Sequence, residues 1–353
     1  MPGPTDPFAG RTAGHRGRLV RWEGHELLEL ESPTLRVTVS LSRGGELLEI
    51  RDKGSDVDIL WHGHEDIRRN VHAPATQELP HGAFLDHFAG GWQVVFPSAQ
   101  YPTTIGGAPF GVHGEIALLP WRLDGVGEED CSVWAEISVE SRRLPVQMTR
   151  RLTVEGSRLD ISDRIENLSS ESFEVQWGHH IALGGLVAEP GTTINLPPHT
   201  PFDVPNDPSP SYRYAAGSYT WPNVVTRAGR AEQVDRLPAD DGSEGHVIAG
   251  PMQEGWAQVT SPAASLHLLL EWDVELFPYC WIWNVFGGVH GWPLWGQHRL
   301  FTLEPFSSPL ESRDEAVAAG RSITVRPGDI RQTAISLTLR PITADQTTAE
   351  DLS

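Results

Sequence analysis

Residues 299–309 read RLFTLEPFSSP, and the phase of that stretch decides what kind of chain this is. Taken as a strand, it puts Leu300, Thr302 and Glu304 on one face and Phe301, Leu303 and Pro305 on the other. A lone carboxylate then shares its face with few polar neighbours. A glutamate so placed is a candidate general base, provided cationic neighbours keep it ionised. The plainer reading is a strand-end glutamate pointing into water, where most charged residues sit. What separates the two is whether other strands bring an acid partner opposite it.

The same period of two recurs outward along the chain. Leu35, Val37, Val39 and Leu41 fall on one face, and Gly44-Gly45 then turns the chain toward Leu48 and Ile50. Val133, Ala135, Ile137 and Val139 repeat the pattern. So do Leu152 and Val154, with Glu155-Gly156-Ser157 leading into Leu159 and Ile161, and then Ile335, Leu337 and Leu339 after the Pro327-Gly328-Asp329 turn. The one good helix signal is local: Ser312 and Glu315 make a capping box, followed by AVAA and a terminating Gly320. Many short strands without an obvious linker or repeat predict an all-β chain folded as one large antiparallel β-sandwich over residues 18–340. Residues 1–17 read as an N-terminal extension and residues 341–353 as a flexible acidic tail.

Composition removes several classes of function. With 353 residues and a formal charge of -20, the chain lacks the basic face that nucleic acid or an anionic membrane would need. Highly anionic substrates are disfavoured for the same reason. Cys131 and Cys280 lie far apart and without metal-ligand spacing, which suggests neither a disulfide framework nor a zinc knuckle. The start, MPGPTDPFAG, has neither the basic region nor the apolar core of a secretion signal, and no apolar run reaches membrane-spanning length, so a cytoplasmic location is expected.

Three stretches supply partners for Glu304. Residues 173–180 read FEVQWGHH; alternation sends His180 to the polar, open face and His179 to the core or its edge, where it stays among the substrate-binding candidates. Residues 111–121 read GVHGEIALLPW, with glycines on either side of Val112-His113 that let backbone or ligand approach the imidazole. Residues 277–295 read FPYCWIWNVFGGVHGWPLW; Trp281 and Trp283 share a face, with Phe277 and Tyr279 in phase, and Trp292 and Trp295 follow. Such aromatics suit either a core or a wall against the apolar C–H face of a sugar. Trp92, in GGWQVVFP at residues 90–97, is a further candidate for that wall. Two loop-like regions are candidates for a rim: residues 62–87, carrying His62, His64, His72, His81 and His87, and the proline-rich residues 196–210. The His-x-His pair makes a metal site imaginable, but no acidic ligand completes a recognisable spacing.

Taken together, HGEIALLPW, the Glu166-Asn167 pair and strand leading into WGHHIALGG, and LEPFSSP closed by a helix and a PGD turn resemble the aldose 1-epimerase, or galactose mutarotase-like, superfamily, in the form of a divergent bacterial member. The resemblance implies a large β-supersandwich in whose groove His113, His180 and Glu304 meet. It implies a cofactor-independent, metal-free isomerase of free monosaccharides, a monomer or homodimer. Glu304 would take the anomeric hydroxyl proton, His180 would donate to the ring oxygen, and His113 would hydrogen-bond the developing charge. The family's Asn-Arg pair before the His-Gly motif is replaced here by FPSAQYP, where Ser98 or Gln100 stands in to hold the sugar, and Asp273 is the counterpart of a sugar-binding aspartate. Two other classes remain. One is a non-catalytic carbohydrate-binding or sensing protein; the other is a glycoside hydrolase or lyase using Glu115, Glu271 or Asp273 as its second carboxylate. Arg68, Arg69 and Arg299 are candidates for a phosphate or sulfonate on the sugar.

Overall fold

The computed structural model describes residues 16–22, 24–63 and 82–342. Alternating strands need a second apolar surface to cover their buried face, and here two antiparallel sheets, of 14 and 8 strands, serve each other. The centre of the larger sheet carries the site and is built from five strands: β1 (Trp92–Val95), β2 (Gly178–Leu183), β3 (Ser243–Ala249), β4 (Tyr279–Phe286) and β5 (Arg299–Phe306). Across the sheet they run in the order β1, β2, β5, β4, β3. Arg16–Trp22, His25–Glu31, Leu35–Ser40 and Leu47–Asp52 extend the β1 side, and short strands from Pro201–Val204 to Ala231–Gln233 extend the β3 side. The smaller sheet runs Thr193–Asn195, Trp256–Ser261, Leu266–Trp272, Ile330–Pro341, Arg158–Asn167, Val146–Glu155, Ser132–Glu140 and Arg122–Glu129.

The core lies between the sheets. Trp92, Ile181 and Leu303 of the larger one meet Leu268, Leu270 and Leu337 of the smaller, each such burial stabilising the fold by roughly 1.5–3 kcal/mol. Within this layer Arg150 donates twice to Asp163 at 2.7 Å, a bidentate pair that satisfies both ions where water cannot. The turns follow their sequence signals. Gly156, with φ +53, and Ser157 join Val146–Glu155 to Arg158–Asn167, and Gly44 and Gly45 both take positive φ between Leu35–Ser40 and Leu47–Asp52. The helix Arg313–Ala318 is capped by the Ser312 hydroxyl, which accepts from the Glu315 N–H, and stops at Gly320 with φ +64.

One phase differs from expectation. Alternation over residues 277–283 holds only from Tyr279, where β4 begins. Phe277 precedes the strand and turns into the inter-sheet core against Trp177 and His179, both at 5.7 Å between ring centroids. Trp292 and Trp295 sit in the following loop, largely exposed. Among the described residues no helix is long and apolar enough to cross a membrane. His64, His72, His81, Arg68, Arg69, the first fifteen residues and the acidic tail from residue 343 lie outside the described residues.

Candidate active site

Directly opposed residues in antiparallel strands share a face, so register assembles the site. Between β2 and β5, Gly178 pairs with Phe306 and Ile181 with Leu303, which sets His180 opposite Glu304. Glu304 is in turn opposite Trp281 of β4, Trp281 is opposite Ile248 of β3, and on the other side His180 is opposite Gln93 of β1. A single row, Gln93, His180, Glu304, Trp281, Ile248, thus crosses the sheet on the face turned away from the smaller sheet. The Glu304 Oε1 to His180 Nε2 separation is 3.7 Å, close enough for an ion pair and too long for a hydrogen bond. Both side chains are more than nine-tenths buried.

His113 reaches the same place from a loop, and the glycine after it explains how. His113 takes φ +59 and Gly114 φ +73; a Cβ at Gly114 would collide with the Phe96 carbonyl oxygen, so only glycine lets the loop press against the end of β1. The His113 N–H donates to the Ala99 carbonyl at 2.8 Å. Its ring stands edge-on to Phe84 at 4.5 Å and lies 5.6 Å from that of His180, which is itself edge-on to Phe88 at 5.3 Å. Burial holds the His113 imidazole well below the usual histidine range, with the neighbouring His180 acting in the same direction and the Ala99 carbonyl opposing. It is therefore neutral at pH 7. The Nδ1 atoms of His113 and His180 are buried with no hydrogen-bond partner.

These three side chains line a cavity of about 310 Å³, together with Gln100, Trp281 and Trp283. Trp281 is fixed by stacking on Phe306 at 4.4 Å and by its indole N–H, which donates to the Ser308 carbonyl at 2.9 Å. The cavity also contains groups that the sequence alone did not single out. His246 of β3 stands edge-on to Trp281 at 5.6 Å, and its Nδ1 is 3.2 Å from Glu311 Oε1. The hydrogen bond from His246 is the main influence holding the Glu311 carboxyl below its ordinary range, against burial, with help from the Tyr101 hydroxyl. Glu244 accepts from the hydroxyls of Ser209 and Ser211 at 2.7 and 2.9 Å. Tyr212 clamps β3 by donating to the His246 carbonyl and accepting from its N–H. The available signal was weak: Glu311 follows LEPFSSP by two residues, and His246 alternates with Val247 in SEGHVIA.

Several sequence candidates lie elsewhere. Trp92 and His179 occupy the opposite face of β1 and β2, where the Trp92 N–H donates to His179 Nδ1 at 3.0 Å and both are fully buried in the inter-sheet core. Burial pushes His179 down to about 3, with Asp163 opposing and Arg150 reinforcing. Asp273 follows the strand Leu266–Trp272 of the smaller sheet and accepts from the Glu275 N–H at 3.0 Å, a turn residue that does not line the cavity. Arg299 is likewise engaged outside the cavity, with Asp240 and the Ala188 and Pro238 carbonyls. Glu115 accepts from the Ser141 hydroxyl and the Arg143 N–H, and Glu271 from Arg158. Ser98 donates to the Gly111 carbonyl at 3.3 Å. His62 pairs with Asp58 at 2.8 Å. Among the described residues, no three His, Cys, Asp or Glu side chains gather as metal ligands would.

Comparison with solved structures yields the same fold. A candidate aldose 1-epimerase of Klebsiella pneumoniae superposes with a TM-score of 0.69 at 15% identity, covering 95% of this chain and 85% of its own. A galactose mutarotase-like protein of Clostridium acetobutylicum gives 0.65 at 14% identity, covering 93% and 99%, and Slr1438 of Synechocystis gives 0.62 at 17%, covering 95% and 99%. At these identities the likeness speaks for a galactose mutarotase-like β-sandwich and for the fold alone. No curated protein sequence matches this one. A family profile described as a domain of unknown function, DUF4432, matches residues 22–339, nearly the whole of both sheets, and the chain belongs to that family.

Proposed function

We propose that the protein is an aldose 1-epimerase that interconverts the α and β anomers of a free monosaccharide. The observation that carries this reading is the carboxylate and imidazole of Glu304 and His180, 3.7 Å apart on neighbouring strands and facing one cavity of about 310 Å³. Ring opening needs one base and one acid on either side of C1. Glu304 accepts the proton of the anomeric hydroxyl; as the C1–O5 bond breaks, its electron pair stays on O5 and the freed O1 lone pair completes the C1 carbonyl. His180 in its protonated form donates to O5. Rotation about C1–C2 then presents the other carbonyl face, and closure runs the two transfers backward. His113, kept neutral by burial, offers a hydrogen bond to the changing oxygens without adding a charge. Trp281 and Trp283 supply the apolar wall and Gln100 a neutral amide to the hydroxyls.

The chemistry calls for no metal or organic cofactor, and a cytoplasmic monomer or homodimer acting on free sugars fits it. A hydrolase or lyase built on Glu115, Glu271 or Asp273 is disfavoured because all three are engaged away from the cavity. The test is the relaxation of optical rotation of freshly dissolved α-aldoses. Acceleration over buffer supports the proposal; calorimetric sugar binding with no acceleration would replace it with a non-catalytic carbohydrate-binding protein.

A further inference from the structure

The cavity holds more carboxylates than ring opening uses. Besides Glu304, it is lined by Glu311, Glu244 and Asp207, and with His113, His180 and His246 this makes four carboxyl groups and three imidazoles. Among the described residues no lysine or arginine lines it. The arginine beside its loop, Arg227, is engaged: its guanidinium donates to the carbonyls of Asp207 and Ser209 and stands 5.1 Å from the Tyr212 ring. Two of the extra carboxylates are held in place, Glu311 by His246 and Tyr101, and Glu244 by the hydroxyls of Ser209 and Ser211. The rings of His113 and His180 line the same cavity, and their Nδ1 atoms are buried with no hydrogen-bond partner.

We propose that the site takes uncharged aldoses, that Glu311 and Glu244 determine specificity by accepting hydrogen bonds from sugar hydroxyls remote from C1, and that aldoses carrying phosphate, sulfonate or carboxylate are rejected. The inference rests on the aldose epimerase reading. A neutral hydroxyl donating to an ionised carboxylate makes a charge-assisted bond, stronger than one between neutral groups. An anion in the same space meets four carboxyl groups, and among the described residues neither a lysine nor an arginine lines the cavity to offset them, at the cost of the anion's own hydration. The formal charge of -20 over the whole chain biases in the same direction.

The test compares anomer exchange of D-glucose and D-galactose with that of their 6-phosphates and of D-galacturonate, alongside calorimetric binding. The inference expects the neutral sugars to be turned over with kcat/KM at least about a hundredfold above the anionic ones. Glu311→Gln and Glu244→Gln should each raise KM for the preferred neutral sugar roughly ten- to a hundredfold with kcat little changed. Tyr101→Phe, at a half-exposed position that folding tolerates, should raise it by about two- to fivefold through the loosened Glu311. Anionic sugars exchanged as fast as neutral ones, or variants that leave KM untouched, would overturn the inference while the epimerase reading stands. Absence of acceleration for every aldose would remove both.

Discussion

Replacing His179 by asparagine should flatten the acid limb of the protein's stability while sparing the site next to it. The imidazole is fully buried, accepts from the Trp92 N–H through Nδ1, and is held at about 3 against an ordinary value of 6.5. A histidine whose folded value is depressed gives its full stabilisation above the unfolded value and loses it as pH falls toward the folded one. The window here therefore runs from 6.5 down to about 3. The slope is about 1.4 kcal/mol per pH unit, so at pH 5 His179 alone has cost the fold about 2 kcal/mol relative to pH 7. An asparagine Oδ1 occupies nearly the place of Nδ1, can still accept from Trp92, and does not titrate. Urea unfolding of both proteins at pH 7 and pH 5 should show a loss on acidification smaller by about 2 kcal/mol in the variant, whatever baseline cost the smaller side chain brings. Equal losses in the two proteins would show that the His179 imidazole does not set the acid limb.

Gly114→Ala should destabilise the fold by at least about 2–3 kcal/mol, because the left-handed backbone alone costs about 1–2 kcal/mol and the added Cβ strikes the Phe96 carbonyl; denaturation would measure it, and kcat should fall with the displaced His113. Asp273→Asn should leave kcat and KM within about twofold of the parent, since the residue caps a turn away from the cavity. Incubation with oligosaccharides should release no reducing ends, as assayed by reducing-sugar titration, whereas release would favour a hydrolase using a second cavity carboxylate.

Strand phase was the most legible feature of the chain, and it separated two adjacent histidines: alternation sent His180 to the open face and His179 inward. The same logic applied to Trp92 would have turned it away from the sugar wall, since β1 gives the open face to Gln93, which holds Glu46 and the Gly90 carbonyl. Tryptophan and histidine look alike in a core and in a site, so residue type misled where phase would have decided. His113 was legible because its motif has a steric cause, the glycine that must pass the Phe96 carbonyl. His246, Glu311 and Glu244 were not. Their meeting depends on β3 lying beside β4, a long-range pairing that leaves no local spacing in the sequence. Gln100 and Trp283 both line the cavity, one from the loop after β1 and the other from β4.

Proton transfer through Glu304 is the central step, and it is measured by the rate of optical-rotation decay of a freshly dissolved neutral α-aldose with parent protein and with Glu304→Gln. The substitution keeps shape and hydrogen-bonding capacity but removes the base. The parent should accelerate the decay clearly, and the variant, unchanged in fold, should lose roughly two to four orders of magnitude in kcat. A parent no faster than buffer, or a variant as fast as the parent, would contradict it.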